Sequence, residues 1–377
     1  MRFRRLGIFR GLVSCLTLPA ALADAQSVEP SAEADGLVRV ALTLEAQQIT
    51  VTHYPDLSAD DRAHQPLLSG TVGSRVAVGT LEGHRALRFG SLAPVLDTAT
   101  ASGADDEAPP STVRYELWLL RNAQGWELEA RPPGDNDIKT ILLTHRNIET
   151  SAMMFTASIH ATAAEAGQVA LRWGQHAWSA DFRFDELPRR PPQPRVSGRG
   201  QERQPDTDTT AFARRTTLSE RNESALVLPD GSRIAMLYGQ GVDTEDEDYQ
   251  HLLTTADGQT VRLIRAAVLR LKTDVSLRFG QTDVPTGNLA PGFAGVYGVW
   301  LRRVGQGWRF VFNNEPDSWG TQYNAEFDVA EIDAEYSRGD GAFRPLAVTV
   351  FSTGDDRGRI VVHWGPHEWA TDFMVGH

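Results

Sequence analysis

One pattern, W-G-x-H-x-W-x-x-D-F, occurs at residues 173–182 and again at residues 364–373. Two further pairs fall in the same order. Tyr115-Glu116-Leu117-Trp118-Leu119-Leu120-Arg121 runs on to Gln124-Gly125-Trp126, and Tyr297-Gly298-Val299-Trp300-Leu301-Arg302-Arg303 runs on to Gln306-Gly307-Trp308. Leu87-Arg88-Phe89-Gly90 is matched by Leu277-Arg278-Phe279-Gly280. The spacing from each block to its match is nearly constant, so the copies differ by small insertions only. Ordered matches that carry several tryptophans each point to an internal duplication. Whatever the chain folds into must therefore be built about twice over.

Each copy reads as all-β. Apolar and polar residues alternate in residues 113–119 and 360–364, the period of a half-buried strand. Gln124-Gly125, Gln306-Gly307, Pro229-Asp230-Gly231, Ala256-Asp257-Gly258 and Gly365-Pro366 are turn dipeptides and tripeptides between such runs. Hairpins are expected around each Q-G and each W-G. Strands at this spacing predict two tandem antiparallel β-sandwich or partly open β-barrel domains, at residues 38–186 and 222–377. Residues 328–336 fit a short helix or another strand. Residues 187–221 hold five prolines, several arginines and few large apolar side chains, the composition of an extended linker. Residues 101–112 read as a loop insert.

The N-terminal stretch from Met1 to Ala25 reads as an address. Arg2, Arg4, Arg5 and Arg10 precede an apolar run, Gly11 to Ala23, and two small-x-small sites end at Ala23 and Ala25. That is the form of a cleaved export signal, and the run is too short to span a bilayer. A periplasmic or secreted protein is expected. Two alternatives stay open: a lipobox-like Leu12-Val13-Ser14-Cys15, which would anchor the protein through Cys15, and a twin-arginine-like Arg4-Arg5-Leu6-Gly7-Ile8. The chain's net charge of −12 becomes −15 once the four signal arginines and Asp24 are gone, and its single cysteine goes with them. A thiol-free acidic chain excludes a disulfide framework and multi-thiolate metal sites, and argues against nucleic acid as a partner. No metal or cofactor is expected. No later stretch approaches the length of a transmembrane span.

The second copy resembles a bacterial domain-of-unknown-function family, the one catalogued as twenty-nine eleven. The resemblance rests on Gly295-Val296-Tyr297-Gly298-Val299-Trp300, on Trp308 to Asn313, on Trp319-Gly320-Thr321-Gln322-Tyr323, on Asp328-Val329 and on Trp364. The family's upstream R-T-G-A-N block is only partly matched by Arg270-Leu271-Lys272-Thr273. The first copy has Arg131-Pro132-Pro133-Gly134 in place of the N…W-G…Y block and looks like a degenerate sister. The resemblance covers roughly residues 230–375. It implies an exported β domain and brings no activity with it.

The common catalytic motifs are absent: G-x-S-x-G, H-E-x-x-H, the Walker loop and C-x-x-C. His363 and His367 are four apart, but Gly365-Pro366 places them across a turn, and only His367 has a counterpart, His176. These two read as core histidines. Asp181 and Asp372 are expected on the opposite face, holding the turn or an arginine. Trp118 and Trp300 should point away from the face shared by Tyr115, Leu117 and Leu119, or by Tyr297, Val299 and Leu301. There an indole either stacks on a sugar or packs under a loop. The ligand-binding candidates are Trp300, Asn313, Asp317, Trp319, Tyr323 and Asp328, because donors, carboxylates and aromatic platforms collect around one loop. Two readings follow. One is a non-catalytic module for a glycan, peptidoglycan or an envelope protein. The other is a hydrolase using Glu315, Asp317 or Asp328 on an envelope or extracellular substrate. A third reading is an envelope scaffold in which the first copy supports the second.

Overall fold

The computed structural model describes residues 36–376 apart from 45–46, 84–86, 91–112, 134–137, 186–221, 240–246, 262, 264–268, 287–293, 317–322 and 340–343. The expected export signal, the expected linker at 187–221 and the expected insert at 101–112 lie outside the described residues.

Alternating side chains build the strands. In β1 (Val38–Leu44), Val38, Val40, Leu42 and Leu44 are buried in the main core, as successive side chains of a strand must point to opposite faces. The first copy continues with β2 (Gln47–His53), β3 (Arg75–Gly83), β4 (Leu87–Phe89), β5 (Val113–Arg121), β6 (Trp126–Arg131), β7 (Lys139–Ala163) and β8 (Ala166–Phe184). The second copy opens with β9 (Asn222–Val227), β10 (Arg233–Tyr238), β11 (Thr260–Val261), β12 (Leu269–Thr273), β13 (Leu277–Phe279) and β14 (Thr282–Val284). It ends with β15 (Val296–Val304), β16 (Gly307–Asn313), β17 (Asp328–Arg338), β18 (Ala347–Gly354), β19 (Arg357–Trp364) and β20 (His367–Val375). Residues 328–336 are thus strand, entered through a single turn of 3₁₀ helix. Helices are short: α1 (Gln65–Leu68) and α2 (Glu247–Thr254).

The described chain is all-β and antiparallel. One sheet runs β7–β6–β5–β3–β2–β1–β9–β10–β12–β15–β16–β17. Its midline is the pairing of β1 with β9, Val40 opposite Leu226. The segments expected as tandem domains therefore share one sheet, and residues 35–377 cluster as one compact unit. At each end the sheet turns over. β7 goes on to pair with β8, and β8 with β4. β17 goes on to pair with β20, which pairs with β19 and β13. β18 pairs with β19 and packs alongside β7.

The same pairings recur in the two copies. His145 faces Trp178 as Tyr336 faces Trp369, and Ala157 faces Leu171 as Val348 faces Val362. Both W-G glycines hold φ near +59° (Gly174 +58°, Gly365 +59°), a left-handed turn that glycine reaches without steric cost. The Q-G hairpins form as expected between β5 and β6 and between β15 and β16. The motif tryptophans Trp173, Trp178, Trp364 and Trp369 are all fully buried. The repeated motif is a core device.

Candidate functional site

On β15 the residues Tyr297, Val299 and Leu301 enter the core, so Trp300 and Arg302 face the other way. Trp300 is only 3% exposed. It packs on Val311 of β16 and under Tyr323, whose ring meets the indole edge to face at 5.3 Å. Packing beneath a loop residue is the outcome, and Tyr323 itself is half-buried. A bulge at Phe312/Asn313 ends the regular pairing of β16 with β17 and brings Asn313 opposite Asp328.

A closed polar network results. Asn313 Nδ2 donates to Asp328 Oδ1 at 2.9 Å and to the Asn324 carbonyl at 2.9 Å. Asp328 Oδ2 accepts from the Tyr323 hydroxyl and from Arg302 Nη2, the latter at 3.1 Å. Arg302 also pairs with Glu331, donates to Thr260 Oγ1 at 3.1 Å and lies over the Tyr323 ring at 5.5 Å. Arg309 extends the chain of charges outward to Glu331 and to Asp333 at 2.7 Å. Burial, reinforced by the Asp328 carboxylate, pushes the Tyr323 hydroxyl up to about 12, so it stays a donor. Asn313 Oδ1 accepts from the Glu315 amide at 2.8 Å and shapes the following turn. Arg270, from the partly matched family block, is buried and donates to the Pro316 carbonyl at 2.5 Å.

Four of the six expected residues come together: Trp300, Asn313, Tyr323 and Asp328. Asp317 and Trp319 lie outside the described residues. Arg302, Glu331 and Thr260 were not singled out in the sequence, because a charge on the outward face of a strand looks like ordinary surface. Both oxygens of Asp328 are engaged by donors, from Asn313, Tyr323 and Arg302. Removing the Asn313 amide leaves Asp328 Oδ1 without this donor, so Asn313→Ala should cost about 2 kcal/mol in a urea denaturation series.

In the first copy the equivalent face holds Trp118 between two guanidiniums, Arg75 at 5.1 Å and Arg131 at 5.2 Å from the ring. Arg131 stands where the second copy has Asn313.

The motif histidines occupy a second, repeated constellation. In the second copy His367 Nδ1 hydrogen-bonds the Tyr336 hydroxyl at 2.8 Å, and the imidazole stacks on Tyr336 and Trp369. Trp308 closes the group edge-on to Trp369, with Arg303 above it at 5.0 Å. In the first copy the same places hold His176, His145, Trp178, Trp126 and Arg121. Residues His145 and Tyr336 were missed by the sequence reading, although the register of the W-G motif aligns them. His363 turns elsewhere, toward His160 and Ala161 of β7. It does not share a site with His367. Asp372 holds Arg359 at 2.8 Å and Asp181 accepts from Gln168 at 2.7 Å, as expected for the opposite face.

Among the described residues no helix is long and apolar enough to cross a membrane. No family model, no curated protein and no solved structure matches the chain.

Proposed function

We propose that the chain is an exported, duplicated, non-catalytic module that binds a glycan, peptidoglycan or an envelope protein through the outer face of β15, β16 and β17. The observation that carries this reading is the commitment of Asp328 to Asn313, Tyr323 and Arg302. A pre-set lattice of aromatic, guanidinium and carboxylate groups suits recognition of hydroxyl-rich surfaces. The half-buried Tyr323 offers an aromatic ring, and Arg309 with Asp333 offers polar groups at the rim. The recurrence of the same strand pairings in both copies supports descent by duplication. The signal-like pattern of residues 1–25 supports export.

Binding of the chain lacking residues 1–25 to glycan arrays and to insoluble peptidoglycan is the direct test. Saturable binding is expected, weakened at least tenfold by Tyr323→Ala in a variant whose circular dichroism spectrum shows that it is folded. Turnover of such a substrate, abolished by Asp317→Ala in a folded protein, would replace this reading with the hydrolase.

A further inference from the structure

His145 lies on β7 and His176 on β8, side by side in the first copy's aromatic group. His145 Nε2 stands 2.9 Å from His176 Nδ1. The other nitrogen of His176, Nε2, faces the Leu68 carbonyl at 2.8 Å. A carbonyl only accepts, so Nε2 of the neutral ring carries the proton. That fixes the tautomer and leaves the Nδ1 lone pair aimed at His145, the way a hydrogen bond from the far nitrogen prepares a metal-ligating imidazole.

We propose that His145 and His176 form a two-nitrogen site for an imidazole-preferring divalent cation, Cu²⁺ ahead of Zn²⁺. Two metal–nitrogen bonds of about 2.05 Å meeting at a right angle span about 2.9 Å. The separation is therefore already that of neighbouring ligands on a tetragonal ion. Placing the His145 proton on Nδ1 frees Nε2, and a turn of the two rings, without parting the strands, admits the ion. Among the described residues no group of three or more His, Cys, Asp or Glu side chains comes together. Water would fill the remaining positions, which suits the partial exposure of His145 and the higher place of Cu²⁺ in the order of divalent affinities. Burial, then the neighbouring His176 and Arg121, lower the His145 pKa. Arg121 is the opposing charge. It lies over Trp126, 5.6 Å from the ring.

The second copy supplies the control. Tyr336 occupies the place of His145 and hydrogen-bonds His367 Nδ1 at 2.8 Å. One nitrogen and one neutral phenol do not make an equivalent pair. His145→Tyr thus writes into the first copy a contact that the fold already uses.

The experiment titrates tag-free protein with Cu²⁺ against a glycine competitor and reads tryptophan fluorescence, since Trp178 stacks on His176 at 5.4 Å and Trp126 lies 5.3 Å from His145. Quenching that saturates at one equivalent is expected, with nitrogen hyperfine structure from two imidazoles in the Cu²⁺ electron paramagnetic resonance spectrum. His145→Tyr should weaken binding at least tenfold with little change in melting temperature. Tyr336→His should raise the stoichiometry from one to two, and it keeps the test decisive if His145→Tyr fails to fold. No saturation at one equivalent, or a titration unchanged by both substitutions, means a hydrogen-bonded histidine pair only and overturns the proposal.

Discussion

Acidification from pH 7 to pH 5 will remove about 5 kcal/mol of stability, most of what an ordinary domain has. Three histidines account for that amount, and burial lowers His145 and His367 in the same direction. Burial lowers His53 to about 4, and lowers His160 to about 4 with Arg172 and Arg344 adding to it. Burial, then Arg344 and His160, lower His363 to about 3. All three fall below the unfolded value of 6.5. The unfolded chain therefore binds more protons than the folded one wherever the pH lies between these values. Stability is complete above about pH 6.5 and is lost as the pH falls toward 4, at up to about 1.4 kcal/mol per pH unit for each histidine. The local geometry explains why the folded state refuses the proton. His53 and His363 are buried, each has a backbone carbonyl for one nitrogen, and Nε2 of each has no partner among the described residues. A second N–H there would be a buried charge with nothing to accept it. His160 has hydroxyls on both nitrogens, Ser158 at 2.8 Å and Thr349 at 3.0 Å, so its cost comes from desolvation and the two arginines. Urea midpoints at pH 7, 6 and 5 measure the effect, and His363→Gln, which cannot titrate, should reduce the loss by about a third. An unaltered pH slope in that variant would sink the assignment.

These histidines also mark what could be read in advance and what could not. The strand class, the hairpins at Gln124-Gly125 and Gln306-Gly307 and the outward face of Trp300 all follow from period-two alternation and local turn chemistry, which short stretches carry whole. The convergence of Asn313, Tyr323 and Asp328 was legible because they flank one loop. Arg302 was not, since its partners Thr260 and Glu331 come from strands 42 and 29 residues away. The β1–β9 midline escaped for a different reason: no pattern within either strand names its neighbour, and edge pairing between copies depends on the whole sheet. His160 belongs to the same class of omission. It looks unremarkable in its own strand, and only the packing of β18 beside β7 brings it near His363.

Gly358→Ala should destabilise the protein by about 3 kcal/mol, and Gly167→Ala by a similar amount, although neither residue is in a turn or at a strained dihedral. Gly358 pairs directly with Phe373 across β19 and β20. A Cβ on Gly358 would stand 2.2 Å from the Phe373 ring, and one on Gly167 would stand 2.5 Å from the ring of Phe182. The missing side chain is the space into which the phenylalanine folds, an aromatic ring laid over a cross-strand glycine. The rings cannot step aside. Phe373 packs on Phe279 at 6.0 Å, which packs on Phe312 at 5.2 Å. Phe182 is held between Phe89 at 6.0 Å and Phe184 at 5.6 Å. An added methyl must therefore force a buried ring off its rotamer or spread the strands, the usual cost of overpacking a dense core. Phe373→Leu creates room, so the double variant Gly358→Ala with Phe373→Leu should be less damaged than the two single losses added together, by about 2 kcal/mol in a double-mutant cycle. Strict additivity would show that the glycine is required for some reason other than the ring. At Gly167 the added Cβ would also stand 2.5 Å from the His160 carbonyl oxygen, so the same cycle with Phe182 should give a coupling of the same sign but smaller.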